Sequence, residues 1–266
     1  GGAGRGALCT ARTGAGGAFA FDGVPCGAYT VEASAAGAEV APAEAAVAVG
    51  HGDAALGAPF EVTAVEVRGR VSAPGGKGMA GVDVLLDGEV AARTDGEGRY
   101  AASAAPGPHT LTAAAPRTRF GAPARVAAAV GTGEAPDVVA QAFDVCGSLS
   151  ATEPSHARGR AVSLKGAGGA KAASATTDRS GAFCFEGVAP GDYTVVPAVT
   201  DQEAAAGLSF GPAAAAVQVS DAPVSGVLLS QATIAVRGTV RCLSKGSCGG
   251  IKVHALPARG GGGGGG

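Results

Sequence analysis

The chain has 266 residues, enough for two or three domains, and a formal net charge of −2 with acidic and basic residues interspersed. It holds 47 glycines, no Trp and no Asn, and much of its apolar content is Ala, which buries little area. Cores must therefore be small and built from scattered Val, Leu, Phe and Tyr, while the lack of a basic patch with interleaved aromatics argues against nucleic acid as a partner.

The amino-terminal "GGAGRGALCT" has no charged region followed by an apolar one, so it does not read as a signal peptide. Residues 14–31, "GAGGAFAFDGVPCGAYTV", hold a Gly-containing turn, a short alternating segment, a second turn and Tyr-Thr-Val. "APAEAAVAV" (41–49) has high helix propensity, but it is short, follows Pro and ends in alternating Val, which predicts a strand leading to "LGAPFEV". "GVDVLLDG" (81–88) sets Val82, Val84 and Leu86 on one face, the pattern of a half-buried strand. "EVAARTDGEGRYAAS" then places Asp-Gly and Glu-Gly where a tight hairpin turn is expected, and "PGPHTLTA" places Pro-Gly at a further turn. Residues 178–195, "DRSGAFCFEGVAPGDYTV", repeat that order. They concentrate Phe183, Phe185 and Tyr193 in a chain with eight Phe and three Tyr. "GPAAAAVQV" (211–219) and "SGVLLSQ" read as strands for the same reasons as their earlier counterparts.

Two markers recur along this sequence. Thr30, Thr110 and Thr194 close the turn-strand-turn string at spacings of 80 and 84 residues. Gly69, Gly147 and Gly238 centre "VEVRGRV" (65–71), "FDVCGSLS" (143–150) and "IAVRGTV" (234–240) at spacings of 78 and 91. A period of about 80–90 residues is long enough for a small domain in each repeat. The fold expected is all-β: a tandem array of small antiparallel β-sandwiches of roughly seven strands each, with short linkers. Residues 1–62 form a partial repeat lacking its first strand, 63–141 and 142–232 two repeats, 233–257 the start of a truncated one, and 258–266 a poly-Gly tail. On this reading the chain is a piece of a longer array, and none of it spans a membrane, since no apolar run reaches about 18–20 residues.

The frame strand-Gly-strand, "GVDVLL", "TDGEGRY", "PGPHTL" resembles the carboxypeptidase regulatory-like, or prealbumin-like, β-sandwich. A closer resemblance covers nearly residues 8–256. "FDVCGSLS", "GAFCFEGVAPGDYTVVP", "AAAGLSFGP" and "APVSGVLLSQATIAVRGTVRCLSKGSCGG" follow in the order of consecutive repeats of the nodal modulator family, and "LCTARTGAGGAFAFDGVPCGAYTV" resembles a repeat two places earlier. This resemblance implies a row of such domains on the lumenal side of a single-pass endoplasmic reticulum membrane protein. It also implies association with nicalin and a small multipass membrane protein beside the translocon, during biogenesis of multipass membrane proteins. The chain departs from the family in its Ala and Gly enrichment, its missing Asn and its Cys26.

The six cysteines (9, 26, 146, 184, 242 and 248) lack CxxC or zinc-ligand spacing, which favours disulfides over free buried thiols, although no Asn means no glycosylation sequon to support an oxidising compartment. Cys146 and Cys184 fall in one repeat, and a structural disulfide between them, pinning the two sheets, is expected, with two buried free thiols as the alternative. Cys242 and Cys248 would close a short loop, and Cys9 either pairs with Cys26 or has its partner elsewhere.

No catalytic, cofactor-binding or metal site is expected. The four His (51, 109, 156 and 254) are scattered, and His109 occupies the place of Tyr29 and Tyr193, as a partly buried strand residue. "TDGEGR" (94–99) lacks the further acidic ligands and terminal Glu of a calcium loop. Strained GxSxG, Walker and dinucleotide-binding patterns are absent. The function expected is a non-catalytic structural and interaction module. The alternatives are a carbohydrate-binding module, which the lack of Trp disfavours, and a stalk domain of a secreted enzyme or adhesin.

Overall fold

A computed structural model of the chain describes residues 7–131, 134–233, 236–241 and 249–255. Gly1–Gln231 forms one compact unit and Ala232–Gly266 another. The first repeat supplies β1 (Gly27–Glu32), β2 (Ala38–Ala41) and β3 (Glu44–Val49). β4 (Glu61–Ser72) leads into the second, which continues with β5 (Asp83–Leu86), β6 (Glu89–Arg93), β7 (Arg99–Ala104), β8 (Gly107–Ala114), β9 (Thr118–Phe120) and β10 (Ala124–Ala128). β11 (Val138–Ser150) leads into the third, with α1 (Pro154–Ala157), β12 (Ala161–Lys165), β13 (Lys171–Thr176), β14 (Ala182–Val188) and β15 (Gly191–Pro197). It ends with α2 (Asp201–Ala205), β16 (Phe210–Gly211), β17 (Ala215–Val219) and β18 (Val224–Gln231).

The fold is all-β, in antiparallel sandwiches. In the third repeat one sheet runs β16-β18-β11-β14 and the facing sheet β13-β12-β15-β17. The second repeat repeats this plan, with β10-β8-β5-β6 facing a sheet that contains β4 and β7. Within both, the first strand pairs in parallel with the last, as Leu149 with Leu229 and Val71 with Val138. Alternation sets the cores. Val82, Val84 and Leu86 are all buried, as are Phe183 and Phe185 around the outward Cys184. The Ala-rich stretches fold as β3 and β17, because their closing Val residues supply an inward face.

The sequence suggests hairpins at Asp95–Gly98 and Asp178–Gly181, but these turns join different sheets. β6 pairs with β5 while β7 pairs with β4, and β13 pairs with β12 while β14 pairs with β11. The Pro-Gly turns at 106–107 and 190–191 likewise carry β7 to β8 and β14 to β15 across the sandwich. Each acidic turn is closed locally all the same. Asp178 Oδ1 accepts the Ser180 and Ala182 amides, and Asp95 Oδ1 those of Glu97 and Arg99. The sequence therefore marks a reversal correctly, while the partner of the strand that follows is decided across the core.

Repeat boundaries expected near 62–65 and 141–143 fall inside β4 and β11, so the chain passes between sandwiches within a strand and not through a linker. In the first repeat no described residue before Val65 is buried, and residues 18–24, the counterpart of β14, form no strand. β14 lies against β11, and no described strand stands in that place for the first copy. Phe19 instead gathers with Phe21 and Phe60. The strand expected at 234–240 is not formed over residues 236–240. Its earlier copies, 65–71 and 143–150, are each held by a later strand of their own repeat, and no described residue beyond 241 makes one.

Candidate functional site

The place where the second and third sandwiches meet is the most elaborated feature of the molecule. β11 serves both. Ala140 to Phe143 pair with β9 of the second sandwich, and Phe143 to Ser148 pair with β14 of the third. At the handover Asp144 donates its amide to the Arg117 carbonyl at 2.9 Å and accepts the Gly187 amide on Oδ1 at 2.9 Å. Met79 and Phe120, from the second sandwich, pack against the buried clusters of both. Two ion pairs cross the junction, Arg119–Glu186 at 3.0 Å and Lys77–Asp221 at 2.6 Å. Both are largely exposed, so solvent screening leaves each of them little net contribution. The shared strand and the shared apolar side chains hold the junction.

Cys146 and Cys184 are disulfide-bonded, 38 residues apart in sequence. The bond does not pin the two sheets. β11 and β14 are neighbours in one sheet, and the register sets the two residues directly opposite each other with outward-facing side chains. Cys9 and Cys26 are free and exposed, with Cys26 Sγ 3.1 Å from the Gly50 carbonyl. Cys242 and Cys248 lie outside the described residues.

The recurring Tyr/His position is a corner fastening. Tyr29 donates to the Pro25 carbonyl at 2.9 Å and Tyr193 to that of Ala189 at 3.0 Å, while His109 Nε2 lies 2.7 Å from that of Ala105. Each bond reaches four residues back and ties the start of a strand to the crossover before it, much as the tyrosine corner does in immunoglobulin-like sandwiches.

Several structural residues escape a local reading of the sequence. Thr94 and Thr177 are buried, and each donates to a carbonyl at 2.6 Å, that of Met79 and of Ala157. "TDGEG" and "TDRSG" carry this signal as a shared Thr before the turn. Arg160 stands where the second sandwich has Val82, opposite the buried threonine. Its guanidinium makes a two-pronged pair with Glu203, donates to the His156 and Ala198 carbonyls, and lies over the Phe210 ring. Arg160 holds the Glu203 carboxyl down to about 2, and the Thr200 backbone amide adds to this. That pairing contributes stability above the ordinary 4.5 and loses it as pH falls towards 2. Glu203 also completes a capping box with Thr200, a Thr-x-x-Glu signal legible in "TDQE".

Tyr100 and Phe183 are equivalent, each ring lying over the glycine of the adjoining strand, Gly69 or Gly147. The Tyr100 hydroxyl is buried without a hydrogen-bond partner, and burial pushes its acid dissociation up to about 12. An unpaired buried hydroxyl costs about 1–3 kcal/mol. Tyr100→Phe is therefore expected to stabilise the second sandwich by about 1 kcal/mol, read as a higher urea midpoint, and a lower midpoint would contradict this reading.

Among the described residues no group of three or more His, Cys, Asp or Glu is placed to hold a metal ion, and no helix is long and apolar enough to cross a membrane. An open groove of about 510 Å³ in the third sandwich is lined by Lys165, Asp192, Tyr193, Thr194 and the Gly166–Gly169 loop. The Tyr193 hydroxyl there is already committed to the Ala189 carbonyl.

Residues 144–229 match the family model described as the NOMO fifth transthyretin-like domain. Human BOS complex subunit NOMO3 and human BOS complex subunit NOMO2 are each 29% identical to the chain over 257 residues, 92% of it. The chain spans about a fifth of the length of these curated relatives, 21% and 20% respectively. Among solved structures, the Bacillus anthracis TIE protein aligns with a TM-score of 0.30 and 13% identity, over 84% of this chain and 45% of that one. The family model falls on the sandwich that carries the disulfide, and the similarity to the NOMO subunits extends through the repeats before it.

Proposed function

We propose that this segment is a stiff, non-catalytic spacer and docking element of a nodal modulator-like subunit. It stands on the lumenal side of the endoplasmic reticulum membrane, in a scaffold that works beside the translocon during biogenesis of multipass membrane proteins. Its partners would be a nicalin-like protein and a small multipass membrane subunit. The observation that supports this reading is the shared strand β11, which joins two sandwiches with no linker between them. Bending there would break ladder hydrogen bonds and separate Phe120 and Met79 from one of their two clusters. Domains joined in this way hold their loops and strand edges at fixed separations, which suits the positioning of other proteins.

The test is site-specific photo-crosslinking from exposed outer-face positions such as Ser103 and Glu186, introduced into the full-length protein in endoplasmic reticulum membranes. Adducts with membrane-complex subunits at a restricted set of positions are expected. Glycan binding by the isolated segment, with no protein adducts, would overturn the scaffold reading in favour of a carbohydrate-binding module.

A further inference from the structure

Of the three corner residues, His109 alone can change charge near neutral pH, and its surroundings demand one charge state. Nε2 lies 2.7 Å from the Ala105 carbonyl and Nδ1 2.7 Å from Asp87 Oδ2. Both partners accept hydrogen bonds only, whereas a neutral imidazole offers one donor and one lone pair. With Nε2 donating to Ala105, a neutral ring would turn a lone pair towards a carboxylate.

Asp87 cannot swing aside freely. Its Oδ1 accepts the Thr110 amide at 2.7 Å, and its own amide donates to the Thr110 carbonyl at 2.8 Å. It also occupies the left-handed region, at φ 53°, in the turn between β5 and β6. The elements around the ring are that turn, the crossover at 105–107 and β10. β10 sets Val126 opposite His109, and neighbouring Arg125 projects from the other face of the sheet. Glu89 is exposed on β6 and makes no bond to the ring, so Asp87 is the ionisable group the imidazole faces.

We propose that His109 is a proton-dependent clamp: protonated, it ties the β5–β6 turn to the β7–β8 crossover and closes that end of the second sandwich, and on losing its proton to water it releases the Asp87 side. In the first and third repeats tyrosine makes the same corner bond without a carboxylate partner, so the device belongs to the second sandwich alone among the three.

The sign follows from the geometry. The Ala105 carbonyl and then Asp87 raise the imidazole above its ordinary 6.5, while the Thr110 amide and then His109 lower the Asp87 carboxyl below 3.8. The clamp thus contributes fully below pH 6.5 and is lost as pH rises through the raised His109 value. On the acid side it is lost as pH falls through the lowered Asp87 value.

Nitrogen-15 NMR of the imidazoles and amide exchange in the 266-residue chain between pH 5.5 and 9 test the clamp. His109 is expected to titrate above 6.5 with both ring nitrogens protonated at the acid end. Protection of the Thr110 amide, corrected for intrinsic base catalysis, should be lost as pH rises through that titration. His109→Tyr should keep the corner bond and flatten that dependence. Titration of His109 at or below 6.5, flat Thr110 protection in the unmodified chain, or a pH dependence that survives His109→Tyr would each overturn the proposal.

Discussion

Gly181→Ala is expected to destabilise the third sandwich by roughly 2–5 kcal/mol, enough to unfold it under mild denaturant. Two costs add there. Gly181 sits at φ 82°, where a Cβ is disfavoured by about 1–2 kcal/mol. A Cβ built on it would also lie 2.1 Å from the Leu149 carbonyl oxygen, which is backbone of the buried strand β11 and cannot swing away. Relieving that overlap means moving the turn off β11, and with it the bond from the Leu149 amide to the Gly181 carbonyl at 2.8 Å. Gly168→Ala separates the two costs. It has a similar φ of 74° but open space around the new atom, so it should lose only the conformational part. The comparison is read from urea unfolding of the two variants. Equal losses would show that the turn is free of β11. Gly98 repeats the arrangement in the second sandwich, 2.3 Å from the Val71 oxygen, and Gly98→Ala should behave like Gly181→Ala.

That glycine shows how much of the fold was legible in the sequence. "TDGEG" and "TDRSG" announce a turn, and alternation announces the strands on either side, because both are written in neighbouring residues. Whether the turn closes a hairpin or crosses the sandwich depends on which strand offers the next free edge, and that strand is far away in sequence. β14 pairs with β11, more than thirty residues earlier, because Phe183 lies over Gly147 and Phe185 comes opposite Val145. The same limit explains the disulfide. Two cysteines in one repeat suggest a bond, but its direction, along a sheet and not between sheets, depends on register. Arg160 was invisible for a different reason: its partners are backbone carbonyls and a glutamate that converge only when α2 folds back over the sheet. The junction was legible as a period but not as a shared strand. Periodicity counts repeats, and it does not say that the last strand of one continues as the first strand of the next.

Removing the Cys146–Cys184 bond by the paired change Cys146→Ser and Cys184→Ser should cost about 3–4 kcal/mol, the loop entropy released when a link of this span is cut. The bridge spans 38 residues, and its side chains face outward, so serine at both places forfeits little burial and the loss measures the constraint on the unfolded chain. Its location decides where the loss is felt. β14 is an edge strand held on one side by β11, and Glu186, two residues past Cys184, pairs with Arg119 of the preceding sandwich. Without the bond, β14 should show the earliest rise in amide exchange, followed by β9, because both lie against β11. β5 and β8, on the far sheet of the second sandwich, should be protected as before. An unchanged urea midpoint would mean that the bond contributes nothing to the fold. A uniform loss of protection through both sandwiches would mean that the shared strand makes them one cooperative unit, in which a cut on one face is transmitted to every strand.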